Sequence, residues 1–386
     1  MAPPEQNRRQ RDFRRHPAAT YRPPAYFRNL KTTLWSVIAF AAAAILYVVF
    51  WFVIAFGLRN GAVEWAETRR QEGYTVNYSG LLLNGFPFLM RLTLSDPGLG
   101  YPASDVPWAW QSEGLTVEMR PWNPWRLTIM PTGALTLGLT IGGEPVTYVG
   151  LADEIAIGLG LAGGWPKSGE LTVSGLNLSL TDENGDSGES IAVKTMRLQA
   201  LHDTADDADH RTVTFDLHLQ AEGLETPAGI FLPLGNRVDN LVLDASVLGA
   251  IPAGRLPESL AAWRDRGGTV EVPRLEFIYG PLIARAEGTL ALDGDMQPIG
   301  AFTAKLQGFF EIIDALRKQG LIRSVDAITA KVVLGALARR PKDGGPASLN
   351  LAITLQNRTV FAGPVSLLKL PAIDWNELFP TESLSE

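Results

Sequence analysis

The sequence predicts a mainly β (α+β) protein. One N-terminal transmembrane helix precedes a large, mostly antiparallel β-rich domain that carries a small helical hairpin. Three observations lead there. The 23 residues from Leu34 to Phe56 hold no charge. Beyond Gly73, apolar and polar residues alternate in one short segment after another, the period-two signature of strands with one buried face. Helical periodicity returns in three short stretches late in the chain. With 38 Gly, 26 Pro and 19% charged residues among 386, the composition favours turns over charged helices. Its 46% apolar content excludes wholesale disorder. The absence of cysteine excludes a disulfide scaffold, a thiolate metal site, an iron–sulfur cluster and a cysteine nucleophile.

Residues 1–33 form a basic arm, read as lacking regular structure. Eight Arg and Lys, from Arg8 to Lys31, oppose Glu5 and Asp12, a net of +6 that leaves −13 on the rest of the chain. Interleaved base-stacking aromatics are missing and the larger body is acidic, so nucleic acid is not an expected partner. The arm instead reads as a topology determinant, keeping the N-terminus cytoplasmic by the positive-inside rule. Residues 34–56 then give a helix about 35 Å long, enough for a hydrocarbon core of about 30 Å. Trp35 and Trp51 suit the interfacial aromatic belts. A cleaved signal peptide would have a shorter apolar run and a small-residue cleavage site, and Gly57-Leu58-Arg59-Asn60 offers none. A helical stalk follows over 57–72. Leu58, Ala62, Trp65, Ala66 and Arg69 share a face, Trp65 is expected to dock on the body, and Gly73 is the stop.

The β-rich body is assigned to 73–370, with a subdivision near 225–240 and a tail at 371–386. Phe86, Phe88, Met90, Leu92 and Leu94 would line one side of its first long strand, ending at the Asp96-Pro97-Gly98 turn. Leu115-Thr116-Val117-Glu118-Met119 alternates up to Pro121; Leu135/Leu137/Leu139, Leu171/Val173 and Leu176/Leu178/Leu180 follow. From Thr212 to Gln220 the pattern is clearest: Val213, Phe215, Leu217 and Leu219 face one way, Thr212, Thr214, Asp216, His218 and Gln220 the other. Leu241/Leu243, Val270/Val272, Leu290/Leu292, Phe302/Ala304/Leu306 and Leu349/Leu351/Ile353/Leu355 extend the series. Turns at Asn184-Gly185-Asp186, Gly267-Gly268, Asp293-Gly294 and Lys342-Asp343-Gly344-Gly345 divide these runs. Strands without intervening helices argue against βαβ units and for an antiparallel array. The helical exceptions are 257–266, closed by Gly267, and a pair within 309–338. Phe309, Ile312, Ile313 and Leu316 form the stripe of the first of that pair. Ser324 would N-cap the second, whose inward stripe would be Val325, Ile328, Val332 and Ala336.

A search for chemistry finds none that holds. Gly158-Leu159-Gly160-Leu161-Ala162-Gly163 fits G-x-G-x-x-G, but turn residues follow where the motif requires a helix N-terminus for pyrophosphate. Lys167-Ser168 lacks the glycine of a P-loop, because Pro166 precedes it. His202, Asp203, Asp206, Asp207, Asp209 and His210 concentrate metal-ligand types, read as a polar hairpin tip without EF-hand spacing. Carboxylate pairs Asp182/Glu183 and Asp293/Asp295 sit in turns. Trp108, Trp110, Trp122 and Trp125, surrounded by prolines, read as core and edge-covering aromatics. Neither G-x-S-x-G nor H-E-x-x-H occurs. The expectation is therefore a non-enzyme with no catalytic, cofactor-binding or metal-ligating residues and no cofactor.

Trp65, Gly73-Tyr74, Gly80, Gly85-Phe86-Pro87-Phe88, Leu92 and Asp96-Pro97, with the later Arg120-Pro121-Trp122-Asn123-Pro124 and Gly288-Thr289-Leu290, resemble a bacterial family, domain of unknown function 2125. Its members are mainly alphaproteobacterial and share an N-terminal membrane helix. The resemblance spans roughly 30–371 and implies an envelope protein without assigned activity or catalytic residues. The strand-turn style is also similar to AsmA-like envelope proteins, whose β arrays are associated with binding or moving lipid. Together with an apolar sheet face that three short helices cannot cover, this leads to one expectation. The chain would be a single-pass bacterial inner-membrane protein, anchored through 34–56, whose periplasmic body binds or transfers lipid or another apolar ligand. A non-catalytic scaffold recruiting envelope protein partners is the alternative.

Overall fold

The computed structural model describes residues 25–375 apart from 105, 142, 164, 183–184, 203–207, 228–233, 340–345 and 364. The cationic residues Arg8 to Arg22, most of the 203–210 tip, the turns at 184 and 342–345 and the tail beyond 375 therefore lie outside the described residues. Two compact units divide the chain, Met1–Val53 and Ile54–Glu386.

Helix α1 (Ala25–Gln71) begins inside the basic arm and runs without interruption through the apolar segment and the stalk. Its side chains from Leu34 to Phe56 are largely exposed, as lipid-facing residues would be, except Trp51 and Ala55, which are buried. In the stalk, Ala66 is buried and Leu58 and Ala62 half-buried, so that face turns inward. Trp65 does not: it is more than half exposed, because it lies one residue round the helix from the packed stripe.

The second unit is built on one antiparallel sheet of 18 strands. Its first part comprises β1 (Thr75–Asn77), β2 (Gly80–Asn84), β3 (Met90–Ser95), β4 (Gly98–Tyr101), β5 (Trp108–Arg120) and β6 (Asn123–Ile141). Then come β7 (Glu144–Leu151), β8 (Glu154–Ala162), β9 (Trp165–Asp182), β10 (Gly185–His202), β11 (Val213–Glu225) and β12 (Arg237–Leu248). After α2 (Leu256–Asp265) follow β13 (Thr269–Tyr279), β14 (Leu282–Leu292) and β15 (Pro298–Gln307). The hairpin α3 (Phe309–Lys318) and α4 (Ser324–Leu337) precedes β16 (Ser348–Gln356), β17 (Thr359–Ala362) and β18 (Val365–Lys369). From β9 onward each strand pairs antiparallel with its chain neighbour, a meander interrupted by α2 between β12 and β13 and by α3–α4 between β15 and β16. Pairing of β11 with β12 reaches Glu225 and Arg237, so the sheet is continuous at either side of 228–233.

A line of irregularities crosses the first half of this sheet. Residues 96–97 separate β3 from β4 where both pair with β5, and the β5 register shifts opposite, between Ser112 and Gly114. Residues 152–153 separate β7 from β8, both of which lie between β6 and β9. Next along the line is Gly175 of β9 at φ +58°, and beyond it Gly223 of β11 at φ +57°. At Gly175 the apolar alternation resets by one residue, from Leu171 and Val173 to Leu176, Leu178 and Leu180. Such irregularities bend a strand and increase its twist.

Two packed clusters lie within this unit. Leu135, Tyr148 and Leu178 anchor one among β6, β7 and β9. Phe309, Ile313, Ala327, Ala330, Leu334, Leu349 and Ala362 form the other, where α3 packs on β14 and α4 on β16. Two helix expectations need correction. The expected inward stripe of α4 is its outer face: Ala327, Ala330 and Leu334 are buried, whereas Val325, Ile328 and Val332 are 72%, 64% and 67% exposed. This helix is apolar nearly all round, so the sequence carries little signal for which side packs. Nor does Ser324 cap it; the N-cap is Arg323, whose guanidinium instead pairs with Asp326 at 2.8 Å.

Candidate functional site

Register brings the alternating residues of distant strands into straight lines across the sheet, because directly opposed residues point to the same face. One line is apolar from β2 to β16. Leu83 opposes Leu92, Leu92 opposes Val117, and Val117 opposes Ile129. Ile129 opposes Ile157, Ile157 opposes Leu171, and Leu171 opposes Leu198. The line continues through Leu219, Leu243 and Leu275, and ends through Ala286 and Ala304 at Leu351. Each of these twelve steps joins two apolar side chains. A second line runs beside it, from Ile155 through Val173, Met196, Ala221, Leu241 and Phe277 to Ala284, Leu306 and Leu349.

Burial along the main line is uneven. Leu92 near one end and Ala304 near the other are fully buried. Every residue from Val117 to Ala286 is only half-buried. The α3–α4 hairpin covers the β14–β16 end, and at the end of β12 buried Trp263 of α2 donates its Nε1–H to the Leu248 carbonyl at 2.8 Å. What remains is a continuous strip of aliphatic side chains without a charge in it.

A family model described as an uncharacterized protein conserved in bacteria, DUF2125, matches residues 51–371. The chain belongs to the DUF2125 family. That match contains the whole apolar line and every strand of the sheet. No curated protein matches the chain in sequence.

The other face of the DUF2125 sheet is polar in the same regular way. Arg91, Glu118, Thr128, Gly158, Glu170, Gln199, His218, Asp244 and Arg274 form one line there. Cross-strand pairs tie it together: Arg91 Nε donates to Glu118 at 2.7 Å, Gln199 Nε2 to Glu170 at 3.2 Å, and His218 Nδ1 lies 3.0 Å from Asp244. An open depression of about 440 Å³ lies over this face, bordered by Arg126, Glu170, Gln199, Asp216 and His218 and floored by glycines 158, 160 and 169. His218 and Asp244 lie within hydrogen-bond distance there, with the imidazole exposed, and nothing about the depression points to catalysis.

The other sequence candidates fall into structural roles. Residues Gly158 to Ala162 belong to β8, so no helix N-terminus follows the glycines. Asp209 holds its turn, accepting from the Thr212 hydroxyl at 2.8 Å and the Arg211 N–H at 3.0 Å; these bonds keep its carboxyl below the usual range. Asp293 accepts from the N–H groups of Asp295 and Gln297 in the same manner. Among the described residues no three His, Cys, Asp or Glu gather to hold a metal ion.

The aromatic expectations need correction. Trp122 and Trp125 cover no core: each is 59% exposed, as are Phe86 at 51% and Phe88 at 71%. Phe86 and Phe88 do not extend β3, which starts at Met90, because Gly85 at φ +100° turns the chain and Pro87 cannot donate to a ladder. The apolar line itself was beyond sequence reading, since alternation shows that a strand has two faces but not which residues oppose across strands.

Proposed function

We propose that this DUF2125 protein is anchored in the bacterial inner membrane by α1 and holds lipid, or another long apolar ligand, on the half-buried face of its periplasmic sheet. The observation that carries this reading is the charge-free line from Leu83 to Leu351. A soluble protein gains little from leaving such a strip half in water, whereas acyl chains need no hydrogen-bonding partners and could complete its burial at about 25 cal/mol per Å². The helix, long and apolar enough to cross a membrane, supports the location, and the basic arm before it supports a cytoplasmic N-terminus.

The test is photo-crosslinking of the full-length chain in vesicles whose phospholipid carries a diazirine near the acyl terminus. Adducts are expected on β9–β12 at Leu171, Leu198, Leu219 and Leu243, in addition to the membrane span. Adducts confined to 34–56 would sink the proposal. One observation favours a second reading, recruitment of a protein partner: the exposed stripe Val325, Ile328 and Val332 on α4. That reading predicts that Ile328→Ser releases a stably bound partner without changing the adduct pattern.

A further inference from the structure

Two hairpin tips meet at one end of the sheet. Asn84 opposite Arg91 closes the β2–β3 hairpin, and Arg120 opposite Asn123 closes β5–β6. Met90 opposite Met119 sets the two tips side by side. The tips present Phe86, Phe88, Trp122 and Trp125, all more than half exposed, flanked by the exposed Arg120 and Arg126. Phe88, Trp122 and Trp125 in particular leave large aromatic surfaces in water at hairpin ends. Aromatic rings at the headgroup level with cations beside them are what a membrane–water interface selects.

The chain between the stalk and these tips is long enough to bring them to the bilayer. Gly73, in the left-handed region at φ +87°, ends the stalk, and Tyr74 N–H bonds back to the Arg69 carbonyl. The Arg70 guanidinium reaches forward to the Val76 carbonyl at 2.8 Å and lies over the Tyr78 ring, 5.7 Å from its centroid. One side chain touches both residues only if 74–78 fold back beside the stalk. Residues 57–71 rise about 22 Å beyond the apolar segment at about 1.5 Å per residue. Residues 75–84 supply about 33 Å of extended chain at about 3.3 Å per residue, more than the rise of the stalk, so the 85–89 turn has the reach to meet the membrane interface.

We propose that the paired β2–β3 and β5–β6 tips seat in the interface of the membrane that α1 spans, and are the point at which lipid passes between bilayer and sheet. This rests on the lipid-holding reading and names its entrance. The line Met90, Met119, Leu127 and Leu159 starts at these tips and lies beside the main apolar line, so an acyl chain leaving the bilayer meets the apolar face without crossing a charge.

The chain has no cysteine, so single-cysteine labelling is clean. Phe88→Cys, Trp125→Cys and, as a control, Lys194→Cys are labelled with an environment-sensitive fluorophore. Lys194 is chosen because its side chain is 71% exposed and lies far along the sheet. The full-length proteins are placed in phosphatidylcholine–phosphatidylglycerol vesicles containing a headgroup-depth spin-labelled lipid. Loss of most fluorescence at 88 and 125, with none at 194, is expected. Labels at 88 and 125 as accessible to water as that at 194 would overturn the proposal. Repeating the photo-crosslinking on the same vesicles separates the two failures. Adducts on Leu198 and Leu219 with unquenched tips refute the entrance alone, whereas quenched tips with a bare sheet refute the lipid-holding reading and leave only membrane docking.

Discussion

At the scale of single residues, two glycines show how unequal the demands on this backbone are. Gly175 and Gly308 both have positive φ, at +58° and +74°, which costs a residue with a Cβ about 1–2 kcal/mol. Their surroundings differ. A methyl group at Gly175 would meet the Asp153 carboxylate, the mobile end of a side chain. At Gly308, the N-cap of α3, it would fall on the Pro281 carbonyl, which is backbone entering β14. Gly175→Ala is therefore expected to lower the unfolding midpoint modestly, and Gly308→Ala severely, detected by thermal unfolding in detergent. Equal losses would show that strain alone, not the close approach, decides both. Neither demand was legible beforehand. The sequence placed Gly175 within an alternating run, and only the reset from Val173 to Leu176 hinted at its conformation.

The helical hairpin shows what single elements disclose and conceal. The stripe Phe309, Ile313 and Leu316 predicted the packed side of α3, because Glu311, Arg317 and Lys318 mark its wet side. In α4 the outer positions are Val325, Ile328 and Val332, as apolar as the inner ones, so the orientation came from what the neighbouring strand accepts: alanines 327 and 330 let the helix approach Leu349 closely. The two helices are also joined by charge. Lys331 Nζ donates to Asp314 at 2.6 Å, and this bond, helped by Arg317 and Lys318, holds the Asp314 carboxyl below its ordinary range. A carboxyl whose folded pKa is depressed adds stability above its unfolded value of about 4, and that contribution disappears as pH falls through the folded value. Amide protection in α3 and α4 is thus expected to weaken progressively as pH falls from about 4 through the folded value. Asp314→Asn should lower protection at neutral pH and flatten this dependence. If the variant keeps the wild-type pH profile, another carboxylate is responsible.

Across the whole molecule, alternation in the sequence established strands, their antiparallel sense and an apolar side to each, from Leu92 to Leu355. It did not reveal that those sides align, because one slipped hairpin would have turned a strand's apolar set outward. The aligned line is long. Its half-buried stretch, the eight steps from Val117 to Ala286 at about 4.8 Å each, makes about 38 Å along the sheet, more than twice the roughly 15 Å of one bilayer leaflet's hydrocarbon. A binding site for one lipid needs no such length, but a path does, and the two make different predictions for a single charge at mid-line. Leu219→Asp puts a carboxylate among Leu198, Leu243 and Met196-side neighbours, whereas Gln220→Asp puts the same charge on the polar face beside Arg197, its register partner. An unpaired carboxylate against acyl chains costs several kcal/mol, and each 1.4 kcal/mol is a factor of about ten in occupancy. With lipid entering at the β2–β3 and β5–β6 tips, Leu219→Asp is expected to retain acyl adducts on Val117, Ile157 and Leu171 and to lose those on Leu243 and Leu275 by about tenfold or more. Gln220→Asp should leave the whole pattern intact. Adducts lost only beside residue 219 in the first variant would mean that the face holds lipids at independent sites and does not conduct them along the line.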